Sequence, residues 1–235
     1  MKTLFYLFPL LLLSCVESKE MSYHVAVQNS WTYRDRTSTS ETEYYIEADR
    51  YLVKNSRMRV LVREDLGLVY SLIPSRKQYY IDTIPDEEKS PEVVKEVDLK
   101  YAWQERYNPD YEWKIMGSMG DSTLHGYQCE GLEVSGEAAF SFVKAEVWLS
   151  RELDAVFAKR FTDIVKKDFS YDKGRQTLSF LLVGRKRYVP LRITETIDGS
   201  ISGPTKHCFE VVEMKQSEVP DSLWLIPENY TLMNK

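Results

Sequence analysis

The sequence lacks the short motifs by which common catalytic and nucleotide-binding sites are recognised. It contains no His-Glu-x-x-His motif, Gly-x-Ser-x-Gly elbow, Walker loop, Cys-x-x-Cys pair or dinucleotide-binding fingerprint. Close carboxylate pairs are expected by chance among 36 acidic residues, and we interpret Glu41/Glu43, Asp86–Glu88 and Glu195/Asp198 as solvated. The sequence therefore predicts a protein that is not an enzyme and that needs no cofactor.

The chain also lacks an excess of positive charge. Its 31 basic and 36 acidic residues give a formal net charge of −5 at pH 7. Nucleic-acid-binding domains normally carry a basic patch and a basic isoelectric point, so this balance argues against a nucleic-acid partner. The basic clusters at Arg57–Arg63 and Arg185–Arg187 are short and interrupted, and we interpret them as solvated strand faces or loop edges.

Long apolar runs are absent except near the N-terminus. Lys2 precedes an apolar stretch from Leu4 to Leu13 that is interrupted only by Pro9. This stretch is shorter than the roughly 20 residues that a membrane-spanning helix needs. It is typical of the apolar region of a secretory signal peptide.

The end of this stretch, Leu12-Leu13-Ser14-Cys15, resembles the bacterial lipobox, where a peptidase cuts before a diacylated cysteine. We predict a lipoprotein signal peptide over residues 1–14 and a lipidated Cys15 followed by a tether to residue 22. Acyl chains such as palmitate on Cys15 then hold the protein stably on a membrane. The alternative is an ordinary secretory signal in which Cys15 is incidental. Val16 in place of Asp favours the outer membrane of the cell envelope if the host is Gram-negative.

Cysteine and histidine are scarce, with three of each in the chain. An oxidising compartment allows a disulfide between Cys129 and Cys208, which would contribute about 4 kcal/mol by the chain-entropy argument. Two free buried thiols are the other interpretation. A zinc site from these cysteines with His125 and His207 is disfavoured, because adjacent residues on a regular strand point to opposite faces. We predict no metal site.

From Tyr23 onward the dominant hydrophobic period is two residues, which predicts strands. A meander of short strands runs from Tyr51 to Ile81, with turns at Asp65–Gly67 and Pro74–Ser75. The same pattern predicts later strands at Tyr111–Met116, Gly126–Val134, Phe142–Leu149, Tyr188–Ile197 and Cys208–Met214, and a packed strand or turn over Leu225–Tyr230.

Helical spacing appears in three places. The clearest helix is predicted to start at Ser150, with an apolar stripe formed by Leu153, Val156, Phe157, Phe161, Ile164 and Val165. A second is predicted around Arg175–Val183, and a loose helical insertion follows Pro85. We expect one α+β domain over residues 23–235, in which helices pack on the concave side of a strongly curved antiparallel sheet.

Several stretches resemble a family of bacterial secreted domains of unknown function in the lipoprotein-carrier (LolA/LolB-like) superfamily. The stretches are Leu124–Leu132 with its Gly-Tyr-x-Cys, Ala145–Ser150 with its Val-Trp-Leu-Ser, Asp65–Ile84, Tyr188–Arg192 and Ile226–Tyr230. Tyr188 stands where that family often has glycine. The resemblance implies a half-open β-barrel whose mouth is covered by helices and which encloses an apolar cavity. Relatives in the wider superfamily carry acyl chains or lipoproteins between membranes.

Two functions follow as expectations. The first is a non-enzymatic envelope lipoprotein that binds an apolar ligand such as an acyl chain, with the membrane as its partner through Cys15. The second is a structural or protein-interaction module without a ligand cavity, whose interior is filled by Leu153, Phe157, Phe161, Leu178 and Leu182. The sequence identifies neither ligand-binding residues nor a protein partner.

Overall fold

The structure is a computed structural model that describes residues 22–84, 112–138, 141–168, 188–198 and 203–233. The predicted signal peptide, Cys15 and most of the tether lie outside these ranges and stay predictions. Within them the chain forms twelve strands and one α-helix, α1, over Ala155–Asp168. No helix in this part of the chain is long and apolar enough to cross a membrane.

The strands are numbered in chain order. They are β1 (Tyr23–Tyr33), β2 (Arg36–Ile46), β3 (Arg50–Asn55), β4 (Arg59–Arg63), β5 (Leu68–Ile73), β6 (Gln78–Thr83), β7 (Glu112–Leu124), β8 (Tyr127–Ala138), β9 (Ser141–Ser150), β10 (Val189–Asp198), β11 (Thr205–Gln216) and β12 (Thr231–Leu232). The strands predicted from the period of two are confirmed. Most ends differ by a few residues, but β7 continues eight residues beyond the predicted end at Met116.

All twelve strands belong to one sheet, in the order β12-β6-β5-β4-β3-β2-β1-β11-β10-β9-β8-β7. Neighbours are antiparallel except for the short parallel pair of β12 and β6. The two outermost strands, β12 and β7, do not pair with each other, so the sheet is curved and open rather than a closed barrel. Mostly antiparallel α+β architecture is therefore confirmed.

The helices differ from expectation in two ways. The predicted helix around Arg175–Val183 and the insertion after Pro85 lie outside the described residues, so several helices on the concave side stay a prediction. The predicted helix start at Ser150 is wrong, because Ser150 ends β9 and pairs with both Cys129 and Val189. The helix begins at Ala155 instead.

The predicted turns of the meander are confirmed. A 3-10 turn over Glu64–Leu66 connects β4 to β5, and Gly67 follows it with a φ of +66° that glycine adopts without strain. A second 3-10 turn over Pro74–Arg76 connects β5 to β6. These tight connections keep consecutive strands adjacent, which is why β4 to β6 lie side by side.

One hydrophobic core lies between α1 and one face of the sheet. It joins strands on both sides of β1, because β11 pairs with β1 across the middle of the sheet. Its largest fully buried side chains include Tyr44, Phe161 and Phe209. Phe161 meets the ring of Tyr44 edge-on, with centroids 5.7 Å apart. The predicted apolar stripe of α1 is confirmed at Phe157, Phe161, Ile164 and Val165.

A smaller core lies on the opposite face of β3 and β4. Leu52 and Leu61 point away from α1 because successive side chains on a strand alternate between faces. Trp224, in a third 3-10 turn over Asp221–Trp224, covers them and is 3% exposed. The C-terminal segment therefore seals this face of the sheet.

Candidate functional site

An apolar depression lies beside α1, where the start of β1 and the connection from β2 to β3 meet the first turns of the helix. We call it the α1 groove. Its inner part has a volume of about 250 Å³ and is lined by Tyr23, Ile46, Glu47, Ala48, Asp154, Val156, Phe157 and Arg160. An adjoining part of about 460 Å³ shares Ala48, Val156 and Arg160 and reaches Tyr51 and Glu64.

The floor of the groove is apolar. Tyr23 stacks on Phe157 with ring centroids 4.0 Å apart, and Ile46 is 2% exposed beneath them. Val156 lies on the rim and is 72% exposed, which corrects its predicted place in the buried stripe of α1. Helical geometry explains the correction, since Val156 precedes the buried Phe157 by one residue and so points about 100° away from it.

Asp154 fixes the end of the groove by capping α1. Its Oδ1 accepts hydrogen bonds from the backbone N–H groups of Val156 at 2.9 Å and Phe157 at 3.0 Å. This satisfies two donors that a helix N-terminus leaves free and places a negative charge at its positive end. Burial, and then the nearby Asp154 carboxylate, raise the pKa of Tyr23, so the groove presents a neutral phenol at physiological pH.

Arg160 forms the wall shared by the two parts of the groove. Its Nη1 donates to Glu64 Oε2 at 2.9 Å, and its guanidinium carbon lies 5.7 Å from the centroid of the Tyr51 ring. Its Nε and Nη2 are buried and have no hydrogen-bond partner among the described residues. The side chain is 17% exposed. One edge of this cation is thus paired, while its other N–H groups are unsatisfied.

A second polar cluster lies within the main core. His207 and Glu195 are directly opposite each other on β11 and β10, at 1% and 0% exposure. His207 Nδ1 lies 3.3 Å from Glu195 Oε2, and the His207 ring stacks on Trp31 at 4.1 Å. The interpretation of Glu195 as a solvated partner of Asp198 is therefore wrong. Glu195 lies two residues beyond the buried Ile193, so alternation along β10 could have placed it inside.

The cysteines and histidines singled out from the sequence are not brought together. Cys129 and Cys208 are both free thiols. They lie on β8 and β11, which β9 and β10 separate, whereas a disulfide needs Cα atoms within about 7 Å. His125 lies in the β7–β8 turn, 3.8 Å from Glu210. No group of three or more potential metal ligands occurs within the described ranges. Burial raises the pKa of the Cys129 thiol.

The groove itself was not found from the sequence, because it joins residues that are more than 100 positions apart. Ile46–Ala48 and Asp154–Arg160 meet only when β2, β3 and α1 pack on one sheet. The signal available in the sequence was Arg160, which is a charged residue one position before the buried Phe161 of a predicted amphipathic helix. The spacing could not show that Arg160 lines the groove.

A model of the family described as a domain of unknown function, DUF4412, matches residues 35–230. The chain belongs to the DUF4412 family. The predicted membership of a family of unknown function is thereby confirmed. No curated protein matches the sequence. Every residue that lines the α1 groove, apart from Tyr23, falls within the DUF4412 match.

Several solved structures are distantly similar to this DUF4412 domain. PNGF-II is 10% identical over 92% of this chain, with a TM-score of 0.38, and this chain spans only 31% of PNGF-II. A LolA superfamily protein from Nitrosomonas europaea is 8% identical, with coverages of 87% and 90% and a TM-score of 0.31. A Vibrio parahaemolyticus domain described as an outer membrane lipoprotein-sorting protein domain is 9% identical, with coverages of 86% and 88% and a TM-score of 0.29.

Proposed function

We propose that this DUF4412 domain is a non-enzymatic protein of the bacterial envelope that binds an apolar ligand, such as a lipid acyl chain, in the α1 groove. The observation that carries the proposal is the groove itself, a preformed apolar depression bounded by Tyr23, Ile46, Val156 and Phe157. Ligand sites are typically concave, apolar and largely preformed, with few polar groups. The two adjoining parts of the groove together reach the size range of such sites.

The position of the groove supports binding at the side of α1 rather than inside the sheet. Phe157 and Phe161 are 3% and 0% exposed and fill the space between α1 and the sheet. A ligand therefore lies along the helix and covers the exposed Val156. Each Å² of apolar surface removed from water contributes about 25 cal/mol before the costs of binding are subtracted.

The N-terminal sequence supports the location. The apolar stretch from Leu4 to Leu13 and the lipobox-like Ser14-Cys15 are typical of a chain exported and anchored by acyl groups on Cys15. An anchored domain is held beside the membrane that supplies acyl chains, and Cys15 is only a few residues before β1 and Tyr23.

The groove is tested by filling it. Ala48 is exposed in the β2–β3 connection and lines both parts of the groove, so Ala48→Trp fills the site without enlarging the core. The Cys15→Ser protein secreted into a bacterial periplasm is purified under native conditions and weighed by native mass spectrometry. We expect co-purified lipid on the parent protein and its loss in Ala48→Trp.

The matched control is Val212→Trp, which places the same side chain on an exposed position of β11 that does not line the groove. It should retain the lipid of the parent. Failure of the parent to carry lipid, together with failure of the delipidated protein to take up a fatty acid, contradicts the proposal and favours an interaction module.

A further inference from the structure

We infer that the α1 groove selects a single-chain lipid with a free carboxylate, an unesterified long-chain fatty acid, and that Arg160 binds the carboxylate. The inference deepens the proposed function and rests on it, because it names the head group of the apolar ligand. It comes from the juxtaposition of an apolar floor, formed by Tyr23, Ile46 and Phe157, with a wall that contains an incompletely paired guanidinium.

The hydrogen-bonding state of Arg160 is the first step of the argument. A guanidinium has five N–H donors in a planar fork and cannot lose its charge in a protein. One edge of Arg160 is paired to Glu64, while Nε and Nη2 are buried without a partner among the described residues. Buried donors that lack acceptors are unfavourable. The two oxygens of a carboxylate accept in parallel from two N–H groups of one guanidinium, which is the arrangement that relieves this cost best.

The pairing of Arg160 with Glu64 can be exchanged. Glu64 is 42% exposed, and ion pairs at such positions contribute little to stability. When Glu64 turns into solvent, the guanidinium is free to rotate about its side-chain bonds toward the groove that it already lines. The ligand carboxylate then takes the place of Glu64. The same rotation brings Nε and Nη2, which are covered by protein in this structure, within its reach.

The other charges around the inner groove already have partners. Glu47 Oε2 accepts from Arg50 Nε at 2.5 Å, and the Asp154 carboxylate caps α1. Lys159, on the outer part, is 73% exposed and lies 3.8 Å from Asp163. Arg160 is therefore the cation that a ligand in the groove meets at its deep wall, and an anionic head group complements it.

The size and depth of the groove select a fatty acid over a phospholipid. The inner part beside Arg160 is only about 250 Å³, so a lipid with two acyl chains would leave most of its second chain outside it. Arg160 is 17% exposed, so the head group that reaches it has to be small. A carboxylate at the end of a single chain meets both conditions, whereas a glycerophosphate carries a second chain and a larger polar group.

Photo-crosslinking on the full chain tests the inference. Envelope membranes from cells that produce the lipid-anchored protein are incubated with a diazirine derivative of palmitic acid or with the corresponding fatty alcohol, and then irradiated. Labelled peptides are identified by mass spectrometry, and labelling is titrated with each probe. We expect both probes to label peptides around Ile46–Tyr51 and Asp154–Arg160, with the acid reaching half-maximal labelling at a lower concentration.

The variants separate the head group from the chain. Arg160→Gln should raise the half-maximal concentration of the acid probe about tenfold, which is typical for loss of a hydrogen-bonded charge, and should leave the alcohol unchanged. Glu64→Gln, which keeps Arg160 and weakens its internal partner, should retain or improve labelling by the acid. Arg34→Gln removes the same charge in the β1–β2 turn, away from the groove, and should change neither probe.

The outcomes distinguish the two levels of the proposal. Equal labelling by both probes, unaffected by Arg160→Gln, overturns the carboxylate inference and leaves acyl-chain binding intact. If neither probe labels the groove while the bilayer lipids are labelled normally, the proposed function is overturned as well. If the Arg160→Gln protein does not accumulate in cells, labelling of Glu64→Gln by the acid probe becomes the test. Loss of labelling in Glu64→Gln contradicts the role assigned to Arg160.

Discussion

The two faces of β3 and β4 are covered in different ways, and the difference locates the candidate site. On one face the C-terminal segment seals the sheet. Trp224 of this segment covers Leu52 and Leu61 and is only 3% exposed. On the other face α1 covers the core but leaves Val156 72% exposed at the edge of a groove. A sealed face contributes to stability, whereas an incompletely covered apolar face is available to a ligand.

Each face also contains an arginine with an unsatisfied buried N–H group. Arg59 Nε and Arg160 Nε both lack a partner among the described residues. The Nη2 of Arg59, however, donates to the carbonyl oxygen of Leu223 beneath the C-terminal segment. Arg160 lines a cavity, and its ion pair among the described residues is with the exposed Glu64. An unsatisfied arginine is thus informative about ligands only where a cavity adjoins it.

The largest expected effect is on the sealed face. Trp224→Ala should lower the free energy of unfolding by about 3–5 kcal/mol, because it removes a buried aromatic and leaves a cavity over Leu52 and Leu61. It also removes the stacking of the Arg50 guanidinium, whose carbon lies 4.6 Å from the centroid of the ring. Val156→Ala, on the groove rim, should change stability by less than about 0.5 kcal/mol. Denaturant unfolding followed by circular dichroism measures both.

A similar cost for the two variants would erase the distinction between a sealed face and an open one. Limited proteolysis adds a second readout, because loss of Trp224 should expose the chain near Val219 to cleavage at lower denaturant than the rest of the fold.

The next largest effect concerns the two arginines. Arg59→Met should lower the free energy of unfolding by about 1–3 kcal/mol, since the Leu223 carbonyl loses a charged donor in a half-buried setting. Fatty-acid labelling should stay unchanged in this variant. Arg160→Gln should cost less than about 1 kcal/mol, because its ion pair with Glu64 is partly exposed, but should weaken labelling. The roles given to the two arginines would be wrong if Arg59→Met weakened fatty-acid labelling, or if Arg160→Gln lowered the free energy of unfolding more than Arg59→Met did.

A smaller effect is expected where the groove meets the helix terminus. Asp154→Ala removes the cap of α1 and should cost about 1 kcal/mol, whereas Asp154→Asn keeps an acceptor oxygen and should cost less. Thermal unfolding of the two variants at neutral pH measures the difference. Equal destabilisation would assign the effect of Asp154 to its charge at the helix N-terminus rather than to its hydrogen bonds.

The alternation of apolar residues predicted most of the sheet and the buried stripe of α1. It did so because period-two and period-3.6 patterns report which local face is buried. The predicted start of α1 at Ser150 was wrong, because Ser150 still belongs to β9 and pairs with Cys129. Asp154, a typical N-cap residue, marks the true start. The prediction that Glu195 is solvated was wrong. Charged residues are rarely buried without a partner, and the partner of Glu195, His207, lies on another strand.

The groove could not be predicted because its parts are distant in sequence. Arg160 and Glu64 are 96 positions apart, and their contact depends on α1 lying against the same end of the sheet as the β4–β5 turn. The order of the strands, with β11 beside β1, likewise depends on long-range pairing that a local pattern does not report. Local periodicity therefore predicted the elements, and only their packing shows the site.

A pH dependence of stability is expected on the sealed face. Burial, together with donation of the Tyr45 hydroxyl to Glu43 at 2.8 Å, raises the pKa of Tyr45 to about 12. A folded-state pKa above the unfolded value means that the contribution to stability is complete below about pH 10 and is lost as the pH rises toward 12. The parent protein should therefore lose stability over this range more steeply than Tyr45→Phe, in urea unfolding at stepped pH. Tyr23→Phe, in the groove, should also lose less stability than the parent as the pH rises, because burial raises the pKa of Tyr23. Parallel pH profiles for the parent and Tyr45→Phe would show that the Tyr45 phenol ionises in the folded protein as easily as in the unfolded chain.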